Sequence, residues 1–150
     1  MEEKERKEEN DKKLQEIRNL LQTETFEKIS ASIPPEYLHL PITAVLLFNN
    51  AIAKRDCSII EYLLDRGADI EARVHKSHRT PLLKAVDARS EECCKLLIDR
   101  GANIEARNYT GQTPLMLAIL NECDDICKYL LAKGANINVR DSDGWTALHH

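Results

Sequence analysis

The chain has 150 residues, 43% hydrophobic and 31% charged, which is length and apolar content enough to bury one ordinary core. Its formal net charge of −4 argues against a general nucleic-acid binder, which is usually basic. No apolar run approaches a membrane span. The charged opening Met1-Glu2-Glu3-Lys4-Glu5-Arg6 does not read as a secretory leader, so the five cysteines are expected to be free thiols in a reducing, intracellular setting, cytoplasmic or nuclear.

Residues 1–45 hold ten acidic and seven basic side chains, and residues 46–150 hold fifteen and fourteen, so the imbalance sits mainly in the lead. Residues 1–13 have no apolar side chain after Met1 and predict a solvated, frayed helix or disorder. Residues 14–45 open with Leu14, Ile17, Leu20 and Leu21 on one helical stripe, which Phe26, Ile29 and Ile33 extend. The stripe predicts one helix over about 12–30, ended by Pro34-Pro35, with Pro34 to Pro41 as a loop. With fewer than two heptads, this helix is expected to pack on the following domain. A coiled-coil or partner helix is the second reading.

From residue 46 onward the chain repeats. Arg66-Gly67-Ala68-Asp69-Ile70-Glu71-Ala72-Arg73 returns as Arg100-Gly101-Ala102-Asn103-Ile104-Glu105-Ala106-Arg107, then as Lys133-Gly134-Ala135-Asn136-Ile137-Asn138-Val139-Arg140. Thr80-Pro81-Leu82, Thr113-Pro114-Leu115 and Thr146-Ala147-Leu148 recur in step, 33 residues apart. Thr suits a helix N-cap and Pro the first helical position. A short helix is predicted after each, carrying Leu82, Ala85 and Val86, then Leu115, Ala118 and Ile119. A second helix follows, with Ile59, Ile60, Leu63 and Leu64 in the first unit. Cys93, Cys94, Leu97 and Ile98 take those places in the second, and Ile126, Cys127, Leu130 and Leu131 in the third. Ser58 and Glu61 have capping-box spacing, with Asp56 as the alternative cap. Gly67, Gly101 and Gly134 stand where a left-handed residue closes a helix.

These strings at one period resemble the ankyrin-repeat family, over about residues 46–150. The resemblance implies an all-α fold with short β-hairpin fingers, an ankyrin-type solenoid preceded by an N-terminal helix. It holds about three units and a fourth truncated at the C-terminus. It further implies a surface of fingers and first helices that binds a partner protein. The chain departs from the family pattern at several points. Only His149 supplies the histidine of Thr-Pro-Leu-His, and Arg55, Arg89 and Glu122 replace the glycine between helices. The first unit has Leu46-Leu47-Phe48 where Thr-Pro-Leu would stand, which suggests an apolar end for the N-terminal helix to cover. Asn138 occupies a position at which family members carry a hydroxylated asparagine.

The first finger, Arg73-Val74-His75-Lys76-Ser77-His78-Arg79, is one residue longer than the second and has His78 where Gly111 and Gly144 stand later. Candidate partner-binding residues are His75, Lys76, His78 and Arg79 there, Tyr109 and Gln112 in the second finger, and Asp143 and Trp145 in the third. Asp87, Leu120 and Asn121 are expected near the same groove. No catalytic or metal site is expected. Cys93, Cys94 and Cys127 occupy positions held elsewhere by isoleucine, no CxxC occurs, and the glycines are absorbed by caps and turns. The expected function is therefore non-catalytic scaffold-type protein binding, without cofactor, nucleic acid, membrane or small-molecule substrate. The alternative is a spacer within a longer repeat protein. Because Thr146 to His150 open a unit without its helices, the natural product is expected to continue past His150.

Overall fold

The computed structural model describes residues 2–23, 25–38, 40–73 and 78–150. Its helices are α1 (Glu2–Thr23), α2 (Phe26–Ser32), α3 (Pro35–Leu38), α4 (Pro41–Lys54), α5 (Cys57–Asp65), α6 (Pro81–Asp87), α7 (Glu91–Asp99), α8 (Pro114–Leu120) and α9 (Asp124–Ala132), followed by a 3-10 turn at Ala147–His149. Among the described residues there is no strand, and no helix is long and apolar enough to cross a membrane. Helices α4/α5, α6/α7 and α8/α9 pair within units. Between units, α4, α6 and α8 form one row and α5, α7 and α9 the other.

The repeat strings set this geometry. Thr80 and Thr113 are buried in extended backbone, and their hydroxyls accept the N–H of Leu83 and Met116 at 3.4 Å. Pro81 and Pro114 then start α6 and α8, where a missing amide donor costs nothing. For α5 the cap is Asp56, whose carboxylate accepts the Ser58 N–H at 3.1 Å. Gly101 and Gly134 close α7 and α9 at φ 92° and 91°, and the following Ala102 and Ala135 N–H return to Leu97 and Leu130 carbonyls.

Between the paired helices stand Arg55, Arg89 and Glu122, at φ 54°, 53° and 55°. The next N–H in each case donates to the carbonyl of Ala51, Ala85 or Ala118, at 2.9, 3.0 and 2.9 Å. These alanines are wholly buried, which explains their spacing. The left-handed backbone strains any residue that carries a Cβ. Replacing Arg55, Arg89 or Glu122 by glycine is expected to stabilise the chain by about 0.5–1 kcal/mol each. The check is a raised urea midpoint at unchanged slope; a lowered midpoint would mean the lost side-chain contacts outweigh the strain.

The lead differs from the single helix predicted over 12–30. Helix α1 runs from Glu2, aided by Glu2, Glu3 and Glu5 in its first turn, and stops at Thr23. Thr25 takes extended backbone (φ −74°, ψ 158°) and caps a separate helix, α2. The β-branched threonines at 23 and 25 are weak helix formers at this break, although the Thr25 side chain makes no cap bond. Ile33 is also extended, as a residue before proline must be. The predicted loop of 34–41 contains the one-turn helix α3, which buries Tyr37 and Leu38. Pro35 presets its first residue.

Helix α4 starts at Pro41, ahead of the expected unit start at Leu46, and its 14 residues compare with seven in α6 and α8. It is apolar on several faces because α1 and α3 cover one side and α6 the other. Ile17, Leu21, Ile29 and Ile33 join its core beside Leu47 and Phe48; the side chain of Phe26 lies outside the described residues. Asn50 and Lys54 each donate to the Leu21 carbonyl at 3.4 Å, partnering the exposed C-terminal end of α1. The ammonium of Lys13 donates to the Tyr37 hydroxyl and lies 4.4 Å from that ring's centre. The N-terminal segment is thus a cap with a charged outer face, as a stack of repeats requires.

Two kinds of tie recur between successive units. Arg100 pairs with Asp65, and Lys133 with Asp99 at 2.8 Å. The Glu71 and Glu105 carboxylates accept the N–H of Asn103 and Asn136, both at 2.7 Å. The Lys133 ammonium first, and the Tyr129 hydroxyl second, hold the Asp99 carboxyl below the usual carboxylate range.

Candidate partner-binding surface

The second and third fingers are each built around one short polar side chain. Asn108 is buried, and its Oδ1 accepts the Thr110 N–H at 3.0 Å, the Thr110 hydroxyl at 2.8 Å and the Gln112 N–H at 2.9 Å. Thirty-three residues on, Asp141 does the same for Asp143 at 3.0 Å and Trp145 at 2.9 Å. Its carboxyl is held below the ordinary range, first by the Trp145 N–H. In the second and third fingers the predicted β-hairpins are tight turns, closed by Asn108 N–H to Gln112 C=O at 3.1 Å and Asp141 N–H to Trp145 C=O at 2.9 Å. The two turns are joined where Ser142 N–H donates to the Thr110 carbonyl at 3.0 Å. Thirty-three residues before Asn108 stands His75, outside the described residues.

The candidates separate by what already engages them. His75 and Lys76 lie outside the described residues. His78 is exposed and left-handed at φ 45°, the conformation that Gly111 and Gly144 adopt later. Arg79 is half-buried in an ion pair with Asp87. Gln112 accepts from Asn108 Nδ2 at 3.0 Å, so it supports its own finger. Tyr109 is 69% exposed and Trp145 52%; Asp143 is also exposed. The Trp145 ring lies 6.4 and 5.6 Å, centre to centre, from His149 and His150. Asn108 and Asp141, which position these side chains, were not among the candidates, although short polar residues at one repeat position are the signal that finds them.

Arg79 and Asp87 meet in a groove of about 360 Å³ beside α4 and α6, lined also by Asn49, Ile52, Ala53, Lys84 and Ala88. The position of Asp87 is Ala53 one unit earlier and Leu120, 47% exposed, one unit later. Asn121 donates to the Val86 carbonyl at 3.4 Å and ties α8 to α6. The cysteines play another part: Cys93 and Cys94 are buried within the core of α7.

A family model described as ankyrin repeats (3 copies) matches residues 48–141 and again 110–150. The chain belongs to the ankyrin-repeat family. Ankyrin repeats are generally protein–protein interaction modules. The solved ankyrin repeat domain of Bcl-3, described as a unique member of the IkappaB protein family, is similar at 32% identity and a TM-score of 0.65. The likeness covers 67% of this chain and 44% of that one, so the chain spans less than half of that structure. No curated protein matches the chain significantly. Within the ankyrin units, positions that carry the stack repeat in kind, while Tyr109, Leu120 and Trp145 do not: Lys76, Asp87 and Gln112 stand one unit earlier.

Proposed function

We propose that this ankyrin array is a non-catalytic module that binds a partner protein through its fingers and first helices, in the cytoplasm or nucleus. The observation that carries the reading is that three large exposed side chains, Tyr109, Leu120 and Trp145, stand where the preceding unit has Lys76, Asp87 and Gln112, whereas the buried helix positions stay apolar from unit to unit. Stacking explains Leu82, Leu115 and the alanines. It does not call for a tyrosine, a leucine and a tryptophan at exposed, non-repeating places, and aromatic side chains are enriched where interfaces concentrate their energy. His78 and Asp143 complete the contact set at the finger tips. Arg79 and Gln112 act by holding the groove and finger in shape, and His75 and Lys76, close to His78 in the sequence, add contacts to the partner.

The test is affinity capture with the chain as it stands, comparing Tyr109→Ala, Leu120→Ala and Trp145→Ala with Lys128→Ala on the other helix row. At least one of the first three is expected to weaken capture about tenfold or more, with Lys128→Ala unchanged. Equal capture by all four would sink the assignment. A second reading, a spacer segment of a longer ankyrin protein, draws on Leu131, which is 47% exposed where its equivalent Ile98 is 7% exposed. Capture by a longer chain but not by residues 1–150 would favour it.

A further inference from the structure

Cys57 is the first residue of α5 and Cys93 the third of α7. Their sulfurs touch at 3.6 Å across the interface between the first and second units. The repeat predicts neither cysteine. Glu91 and Asp124 stand at the position of Cys57 in the later units, and Ile59 and Ile126 at that of Cys93 in the others. Where the other units have an acid and a buried isoleucine at these two positions, this interface has two thiols in contact. Cys93 is wholly buried and Cys57 half-buried, so Cys57 is the partly exposed residue of the pair.

We propose that Cys57 and Cys93 form an oxidisable dithiol whose disulfide crosslinks the first two ankyrin units, with a small-molecule disulfide as the oxidant. With oxidised glutathione, the Cys57 thiolate attacks one sulfur and expels a glutathione thiolate, leaving a mixed disulfide. The Cys93 thiolate then attacks Cys57 Sγ and expels the second. Two electrons pass from the protein to glutathione, and the two protons released by the cysteines end on the two leaving thiolates. The sulfurs close from 3.6 Å to about 2 Å. The bond closes a loop that contains the whole first finger and both of its flanking helices, so finger one and the interface beneath it would be held as one piece. Burial pushes the Cys57 thiol up to about 12. Since the thiolate is the nucleophile, the first step is slow at neutral pH and quickens as pH rises.

The experiment incubates the folded chain with oxidised glutathione at mildly alkaline pH, blocks remaining thiols with N-ethylmaleimide, and maps tryptic peptides without reduction. The expected product joins Asp56–Arg66 to Ser90–Lys95. It should persist in Cys94→Val, which assigns the second sulfur to Cys93, and vanish in Cys57→Ser. The oxidised chain is expected to melt roughly 5 °C or more above the reduced one, the difference disappearing with dithiothreitol. A mixed disulfide that stays open on Cys57, a link that depends on Cys94, a link that forms only in urea, or a lowered melting point would each overturn the proposal.

Discussion

Replacing Ile17 and Leu21 together by alanine is expected to lower the unfolding free energy by about 4–6 kcal/mol, and the loss should fall mainly on the first unit. Both side chains are buried against the core that contains Phe48 and Leu47. Each truncation removes apolar area and leaves a cavity, at about 2–5 kcal/mol apiece, with less than full additivity because the sites are neighbours. In a stack where each unit touches only its neighbours, the damage stays local. Hydrogen exchange should therefore show lost protection in α4 and α5 while α8 and α9 keep theirs. Unchanged protection in α4 would show that α1 is an attached helix and not the cap of the array.

Asn108→Ala is expected to cost about 2–3 kcal/mol, because one buried carbonyl oxygen serves two amides and a hydroxyl that would be left without it. Asn108→Asp should keep most of the stability, since Asp141 closes the next finger with a carboxylate. Urea denaturation of the two variants separates them. Equal losses would mean that the side-chain amide, and not the acceptor oxygen, builds the turn. The alanine variant should also weaken partner capture as far as Tyr109→Ala does, since Tyr109 rides on that turn.

Much of the stack can be read from local chemistry. Thr80 and Thr113 cap, Pro81 and Pro114 begin, and Gly101 and Gly134 close their helices through bonds to neighbours within four or five residues, so a string of letters carries them. Cys93 and Cys94 could be assigned to the core because isoleucine holds their places in other units. The lead was less legible. Whether Leu14 to Ile33 form one helix or two depends on how α2 folds back on α1 to bury Ile29 and Ile33 in the common core, tertiary packing that outweighs a continuous stripe. The extension of α4 back to Pro41 has the same origin, since its added turns are stabilised by α1 and α3 and not by the repeat. At the candidate surface, Tyr109 and Trp145 stand exposed as expected. Arg79 and Gln112 looked equally available as letters, yet Asp87 and Asn108 already engage them. Residues paired across a groove or within a turn cannot be told from free ones until the fold sets their distances.

The reading of this ankyrin array as a partner-binding module is tested most directly by site-specific photo-crosslinking. A photoreactive phenylalanine is placed at Tyr109, at Leu120 or at Lys128, and the full chain is irradiated in extract. Discrete, mass-identified adducts from positions 109 and 120, shared between them and absent from 128, are the predicted result. Adducts from 128 alone, with none from the fingers or first helices, would contradict it.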